Sequence, residues 1–199
     1  MSLYRQASAA PAFWNTLKSL LVVTAASLLF FWGIPETVVR WQAQHQSLDW
    51  LFFPAVRWIG LPLIAIGVAG LLWASLTLAI VGRGTPLPID APRQLVVTGP
   101  YSRVRNPMAT ATLVGGIGAG FWFGSPLIML LFVVLAVGWH VLVRPDDERR
   151  LERVFGRHYV FYRRSVHCWF PARKPWDPPE VTAPISLDEI SVEPRGRRR

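Results

Sequence analysis

The sequence has one cysteine, Cys168, so it can form no internal disulfide and no cysteine-built zinc site. It is also poor in charge. Only 17% of its 199 residues are Asp, Glu, Lys or Arg, while 52% are hydrophobic, a balance that a typical soluble domain does not have. The charges are segregated as well: none falls between Ser19 and Pro35, between Trp58 and Gly82, or between Asn106 and Val143. Common enzyme signatures are missing: there is no HExxH, no GxSxG, no P-loop and no Gly-x-Gly-x-x-Gly opening a helix after a strand. The run Gly115-Gly-Ile-Gly-Ala-Gly120 misses the dinucleotide fingerprint. With Gly116, Gly120 and Gly124 four residues apart, it reads as small residues for close helix packing in lipid. No repeat of useful length occurs.

What is present points to a membrane. Each uncharged run is a candidate transmembrane helix. The run Asn106–Val143 has 38 residues, nearly twice the roughly 20 that cross a bilayer once, so it folds back on itself. Gly124-Ser125-Pro126 marks the hairpin, because Gly accepts turn dihedrals and Pro opens a helix without needing its missing N–H. The expected architecture is an all-α integral membrane protein with four spans, at 17–34, 56–82, 108–123 and 127–143. The last two are short, which calls for bilayer thinning or burial against neighbours.

The connector 83–105 holds Arg83, Arg93, Arg103 and Arg105, and arginine is abundant after Val143, whereas 35–57 mixes both signs. The positive-inside rule therefore puts both termini and the 83–105 connector in the cytoplasm. The first apolar run starts late, after Lys18, and reads as a signal anchor rather than a cleavable signal peptide. The net charge of +9 reflects this bias plus a basic tail. No soluble module interleaves aromatics with base-reading cations, so nucleic acid is not an expected partner.

Four regions follow: a polar leader 1–16; two spans and an external connector, 17–82; a core 83–172; and a basic, proline-rich tail 173–199, expected to be disordered. The external connector, 36–55, carries a candidate re-entrant piece around Trp50–Pro54. Prolines 86, 88, 92 and 100 forbid a regular helix in the next connector. Beyond Val143, Leu151, Val154, Phe155, Tyr159 and Tyr162 recur at spacings of three and four, as in an amphipathic helix lying along the inner leaflet with its arginines at anionic head groups.

Residues able to do chemistry are few. Of His45, His140, His158 and His167, only His140 lies inside a span, where an ionisable ring needs a partner or a wet cavity. Asp146, Asp147 and Glu148 follow the fourth span. They oppose a helix C-terminus but suit the first turn of a new helix begun by Pro145. From there Asp147 and Glu148 flank the face carrying Leu151 and Phe155. Inward carboxylates at the membrane edge want cations or hydroxyl donors, and the connector 83–109 is the nearest stretch able to fold over them.

The ordered set Arg93-Gln-Leu-Val-Val-Thr-Gly-Pro-Tyr101, Arg105-Asn-Pro-Met108, two short membrane helices, Asp147-Glu148-x-x-Leu151-x-x-x-Phe155-Gly156-x-x-Tyr159 and Trp169-Phe-Pro171 resembles the isoprenylcysteine carboxyl methyltransferase and phospholipid methyltransferase superfamily. Gly82-Arg-Gly-Thr-Pro-Leu-Pro88 and the Arg-Asn-Pro-Met form are similar to a bacterial branch. The resemblance covers about residues 82–171. It implies an integral membrane enzyme, in a bacterial inner membrane, that uses S-adenosylmethionine in a pocket built by the connector and the post-membrane helix. Carried over by position, Arg93, Gln94, Leu95, Val96, Tyr101, Asn106, Pro107, Met108 and Ala109 would line that pocket, with Asp147 and Glu148 as acidic partners. His140, Arg144 and Glu148 are the candidate catalytic residues.

This sequence departs from the family pattern in four places. The usual His is Asn106, the usual Tyr is Ala109, and the first of two glutamates is Asp147. A substrate-side arginine falls on Val143, with Arg144 one step along, about 100° round a helix. The implied acceptor is lipophilic: a prenylated thiol or carboxylate, an aminophospholipid, a quinone-like isoprenoid or a small thiol. An anionic acceptor needs no base; a neutral amine or hydroxyl would call on His140 or Glu148. The rival reading is a non-catalytic lipid-binding or assembly protein that keeps the fold. A small transporter is a third, with only His140 near mid-membrane to serve it.

Overall fold

The computed structural model describes residues 12–45, 53–82 and 95–177, and among these every regular element is helical. The first helical rod comprises α1 (Ala12–Leu28), a π-turn (Leu29–Gly33) and α2 (Ile34–Ala43). After a 3-10 turn, Pro54–Ile59, comes α3 (Gly60–Ile80). Then follow α4 (Pro107–Phe123), α5 (Pro126–Gly138), a second π-turn (Trp139–Val143), α6 (Arg144–Phe155) and α7 (Arg157–Ser165). Among the described residues, three continuous helices are long and apolar enough to cross a membrane: Phe13–Ala43, Ala55–Ile80 and Pro126–Phe155. The α4 helix, at 17 residues, packs between α3 and α5.

Proline does not stop either rod it sits in. In a regular helix the ring of Pro35 would strike the carbonyl of Phe31, and that of Pro145 the carbonyl of Val141. Both carbonyls lie in π-turns. In each case the residue just before the proline donates its N–H five residues back, Ile34 to Leu29 and Arg144 to Trp139, so the ladder is re-phased around the ring. The first rod therefore runs through the expected connector 36–55 as far as Ala43, and Pro145 continues the last rod instead of opening a separate helix. The re-entrant piece proposed around Trp50 lies largely outside the described residues.

Lipid supplies little hydrophobic drive between helices, so close packing has to hold the bundle. A methyl added at Gly60 would fall 2.5 Å from the backbone oxygen of Gly118, and one at Gly67 would fall 2.6 Å from Cα of Gly115. The backbones of α3 and α4 thus touch. On the other sides of α4, Gly115 receives the ring of Phe31, Gly116 that of Phe132 and Gly120 the side chain of Met129. The glycine run packs as its spacing predicts, and Gly124-Ser125-Pro126 makes the hairpin, with Gly124 at φ 65° capping α4. At this end Ser125 Oγ donates to Gln42 Oε1 at 2.7 Å, both residues fully buried, and ties α2 to the hairpin.

The single amphipathic helix expected after Val143 is two helices. Gly156 has φ 56° and ψ −132°, a conformation that a side chain disfavours, and the chain turns there. Tyr159, Tyr162 and Val166 then fold back to form a second small core with Leu95, Val97, Leu151, Phe155 and Trp176, while Val154 stays exposed. The packed chain runs on through Trp176, whose N–H donates to Ser102 O at 2.8 Å. The tail beyond residue 177 lies outside the described residues.

Candidate active site

The connector enters the described structure at Leu95 and turns at Gly99, whose φ of 60° suits glycine and whose α-carbon faces Thr77 and Trp73 of α3. A short 3-10 turn, Gly99–Ser102, follows. Asn106 then caps α4: its Oδ1 accepts from Ala109 N at 3.0 Å, and Pro107 takes the first helical position, where no N–H is needed. The C-terminal segment runs beside this connector as a strap. Arg105 N donates to His167 O at 2.9 Å, Asn106 N to Cys168 O at 3.3 Å and Ala172 N to Arg103 O at 2.9 Å. Tyr162 Oη donates to Tyr101 O at 2.6 Å.

These contacts bring the two distant segments together. Arg105 Nη1 meets Glu148 Oε1 at 2.7 Å, and the two side chains are only 13% and 16% exposed. Arg144 Nη1 reaches the same oxygen at 3.5 Å and Arg163 Nη1 the other oxygen at 4.0 Å. Arg163 also pairs with Glu152 at 3.1 Å. Three guanidiniums thus face two carboxylates, one of them shared, in a partly dry site where unbalanced charge is costly. Two buried donors there, Arg105 Nε and Arg144 Nε, have no hydrogen-bond partner among the described residues. Native proteins rarely leave such groups unpaired, and when they do a ligand is a common reason.

The surrounding groups are tuned by the same environment. Burial first, and then the charge of Glu148, push the Tyr159 hydroxyl up to about 12, against the pull of Arg105. Burial also raises the hydroxyls of Tyr101 and Tyr162. It raises the Cys168 thiol too, opposed by Arg105 and Arg144. On the membrane side, Trp169 Nε1 donates to His140 Nδ1 at 2.8 Å, so that nitrogen is an acceptor and a neutral ring carries its proton on Nε2.

The residues singled out from sequence divide into three groups. Glu148 meets the connector through Arg105 with Arg144 beside it, Asp147 adjoins Glu148 along α6, and His140 is held by the strap's Trp169. Asp147 is half-buried and has no hydrogen-bond partner among the described residues. Tyr101 stands against Tyr162, while Leu95 packs on the second core and Val96 is buried. The backbone of Leu95–Val97 makes no hydrogen bond among the described residues. Pro107 and Ala109 build the start of α4, and Met108 packs against the main core. Arg93 and Gln94 lie outside the described residues. Arg144, four residues before Glu148, turns toward it, while Val143 is exposed.

Sequence reasoning passed over Arg105, Arg163 and the strap beyond Pro171. Arg105 had a signal, since it opens the Arg105-Asn-Pro-Met108 motif and is the connector cation nearest a span. Arg163 had none, because its approach depends on the turn at Gly156.

Comparison with known proteins bears on this segment. The phospholipid methyltransferase family profile matches residues 55–158, just over half of the chain. The chain belongs to the phospholipid methyltransferase family. A relative in Arabidopsis thaliana, Protein-S-isoprenylcysteine O-methyltransferase B, is 26% identical over 166 residues, 78% of each chain. The nickel-cobalt-cadmium resistance protein NccN of Alcaligenes xylosoxydans xylosoxydans is 32% identical over 118 residues, 57% of this chain and 52% of that protein. The chain therefore spans about half of NccN. The family segment includes α3 to α6, the connector and the start of α7, and so contains Arg105, His140, Arg144, Asp147, Glu148 and Tyr101.

Proposed function

We propose that this membrane methyltransferase uses S-adenosylmethionine, bound where the connector meets α6, to methylate a lipophilic acceptor. The observation that carries the reading is the Arg105–Glu148 pair at 2.7 Å, which clasps two segments 43 residues apart at one rim of the bundle. The local residues fit the cofactor. Among the described residues, Arg105 Nε and Arg144 Nε have no partner and offer donors to a carboxylate, Asp147 offers an acceptor to an ammonium or ribose hydroxyls, and the backbone of Leu95–Val97 offers donors and acceptors to an adenine. When bound, the cofactor supplies an electrophilic methyl group on a sulfonium.

The protein's part is to position and to exclude water. Holding donor and acceptor in line can lower a barrier by roughly 7–11 kcal/mol. The contacts at the site favour an anionic acceptor. Glu148 is committed to arginines and His140 Nδ1 to Trp169, which leaves neither well suited to take a proton. A thiolate or carboxylate acceptor needs no base, and Arg144 and Arg163 would orient its charge. This reading has four spans, α4 being the short one, with the rim and both termini in the cytoplasm of a bacterial inner membrane.

The test is calorimetric titration of the purified protein with S-adenosylmethionine and its demethylated product, paired with labelling of membrane lipid extracts by methyl-marked cofactor. Binding and a gene-dependent labelled lipid are expected, and Glu148→Gln should weaken cofactor binding at least tenfold. Absence of binding to either compound would sink the proposal. The second reading, a lipid-binding or assembly module, draws on Asn106, whose side chain is spent on capping α4; it predicts that Glu148→Gln leaves function unchanged.

A further inference from the structure

A cleft of about 370 Å³ opens between α1 and α3 in the half of the bundle that ends at the 124–126 hairpin. Val23 and Leu72 lie deep in it, and Trp32, Leu61 and Trp122 line its end near the hairpin. Trp122 is in the last turn of α4, and Trp32 meets Phe123 edge-on at 5.5 Å. The Arg105–Glu148 pair lies at the opposite end of α4, so this cleft is not part of the site described above. Phe31, at the π-turn, closes one side of the cleft, its ring against Gly115 and Phe132.

Two polar features make the cleft more than an apolar face. Arg57 precedes Leu61 by one turn, and its guanidinium lies 4.5 Å from the Trp122 ring centroid and 5.7 Å from that of Trp58. Among the described residues no carboxylate pairs with it. Ring faces hold the cation but take none of its N–H groups along their edges, so an oxyanion can still be bound there. Deeper in, the Ser27 hydroxyl lines the cleft, buried and without a hydrogen-bond partner among the described residues. Five residues separate Ser27 from Trp32, about 8 Å along a helix.

We propose that the cleft binds one anionic phospholipid of the leaflet at the hairpin end, with an acyl chain between α1 and α3, an ester carbonyl at Ser27 and the phosphate at Arg57. Charge decides the occupant. A second copy seated symmetrically on the same face would bring two Arg57 side chains together, whereas a phosphate complements the cation and the aromatic collar suits the interface. The proposal does not depend on the methyltransferase chemistry, and its readout is lipid retention rather than activity.

Native mass spectrometry of the detergent-purified chain, titrated with phosphatidylglycerol and with phosphatidylcholine, tests it. One retained phosphatidylglycerol with at least fivefold preference is expected. Arg57→Gln should bring that preference down to the phosphatidylcholine level, and Leu61→Trp, which fills the mouth, should reduce retention of both. Equal retention of the two lipids, a preference that survives Arg57→Gln, or a lipid-free dimer in which the cleft is closed would overturn the assignment. Should Leu61→Trp not fold, Arg57→Gln decides, because Arg57 is exposed and its replacement leaves the helix packing intact.

Discussion

The two ends of the bundle both bury polar groups, and they do so differently. At the hairpin end one neutral pair, Ser125 and Gln42, is fully enclosed with its hydrogen bond made, beside helices packed backbone to backbone. At the connector end, three arginines crowd Glu148 and Glu152 with two guanidinium donors left over. A satisfied buried pair fixes geometry and asks for nothing more. Unpaired donors on two buried guanidiniums cost more than the single Ser27 hydroxyl left open, among the described residues, in the hairpin half, and that difference in charge separates the two ends.

The contrast can be broken from either side. The largest effect is expected at the packing that both ends share: Gly116→Leu would drive a side chain into the Phe132 ring, and no monodisperse protein should elute on size exclusion. Next, Arg105→Ala removes the main partner of a carboxylate that is 16% exposed. Breaking such a pair costs about 3 kcal/mol, so a fall in melting temperature together with loss of cofactor binding is expected. Ser125→Ala should cost about 1 kcal/mol by removing the hydroxyl that donates to Gln42 Oε1 and leave cofactor affinity unchanged; a loss of affinity would mean that the two ends are coupled.

The smallest effect is one of pH. The Tyr159 hydroxyl is raised from 10 to about 12 in the folded chain, so the unfolded chain releases that proton first as pH rises. Its contribution to stability is complete below pH 10 and is lost as pH climbs through about 12. Melting temperature should therefore drop across that window, and Tyr159→Phe should make the drop shallower while costing about 1 kcal/mol at neutral pH through the lost contact with Arg105.

Much of the bundle was legible in the sequence. Uncharged runs marked the membrane segments, Gly124-Ser125-Pro126 marked the hairpin, and the glycine run marked close packing on α4. Proline misled at Pro145, which read as the start of a new helix because the sequence does not announce a π-turn, whose bond to the fifth residue back absorbs the ring. The site was half legible: Asp147, Glu148, Arg144 and the connector were named, but Arg163 and the strap from Ala172 to Trp176 were not, since their partners are set by folding at Gly156.

The sequence by itself determined where lipid is tolerated, where the chain must turn and which end carries charge, because hydropathy, glycine and proline act through the local backbone. Tertiary structure decided which arginine faces which carboxylate, that the strap closes on the connector, and that a cleft opens between α1 and α3. Those outcomes depend on how helices lean on one another, and the leaning is set by contacts such as Phe31 on Gly115 and Phe132, between residues far apart along the chain.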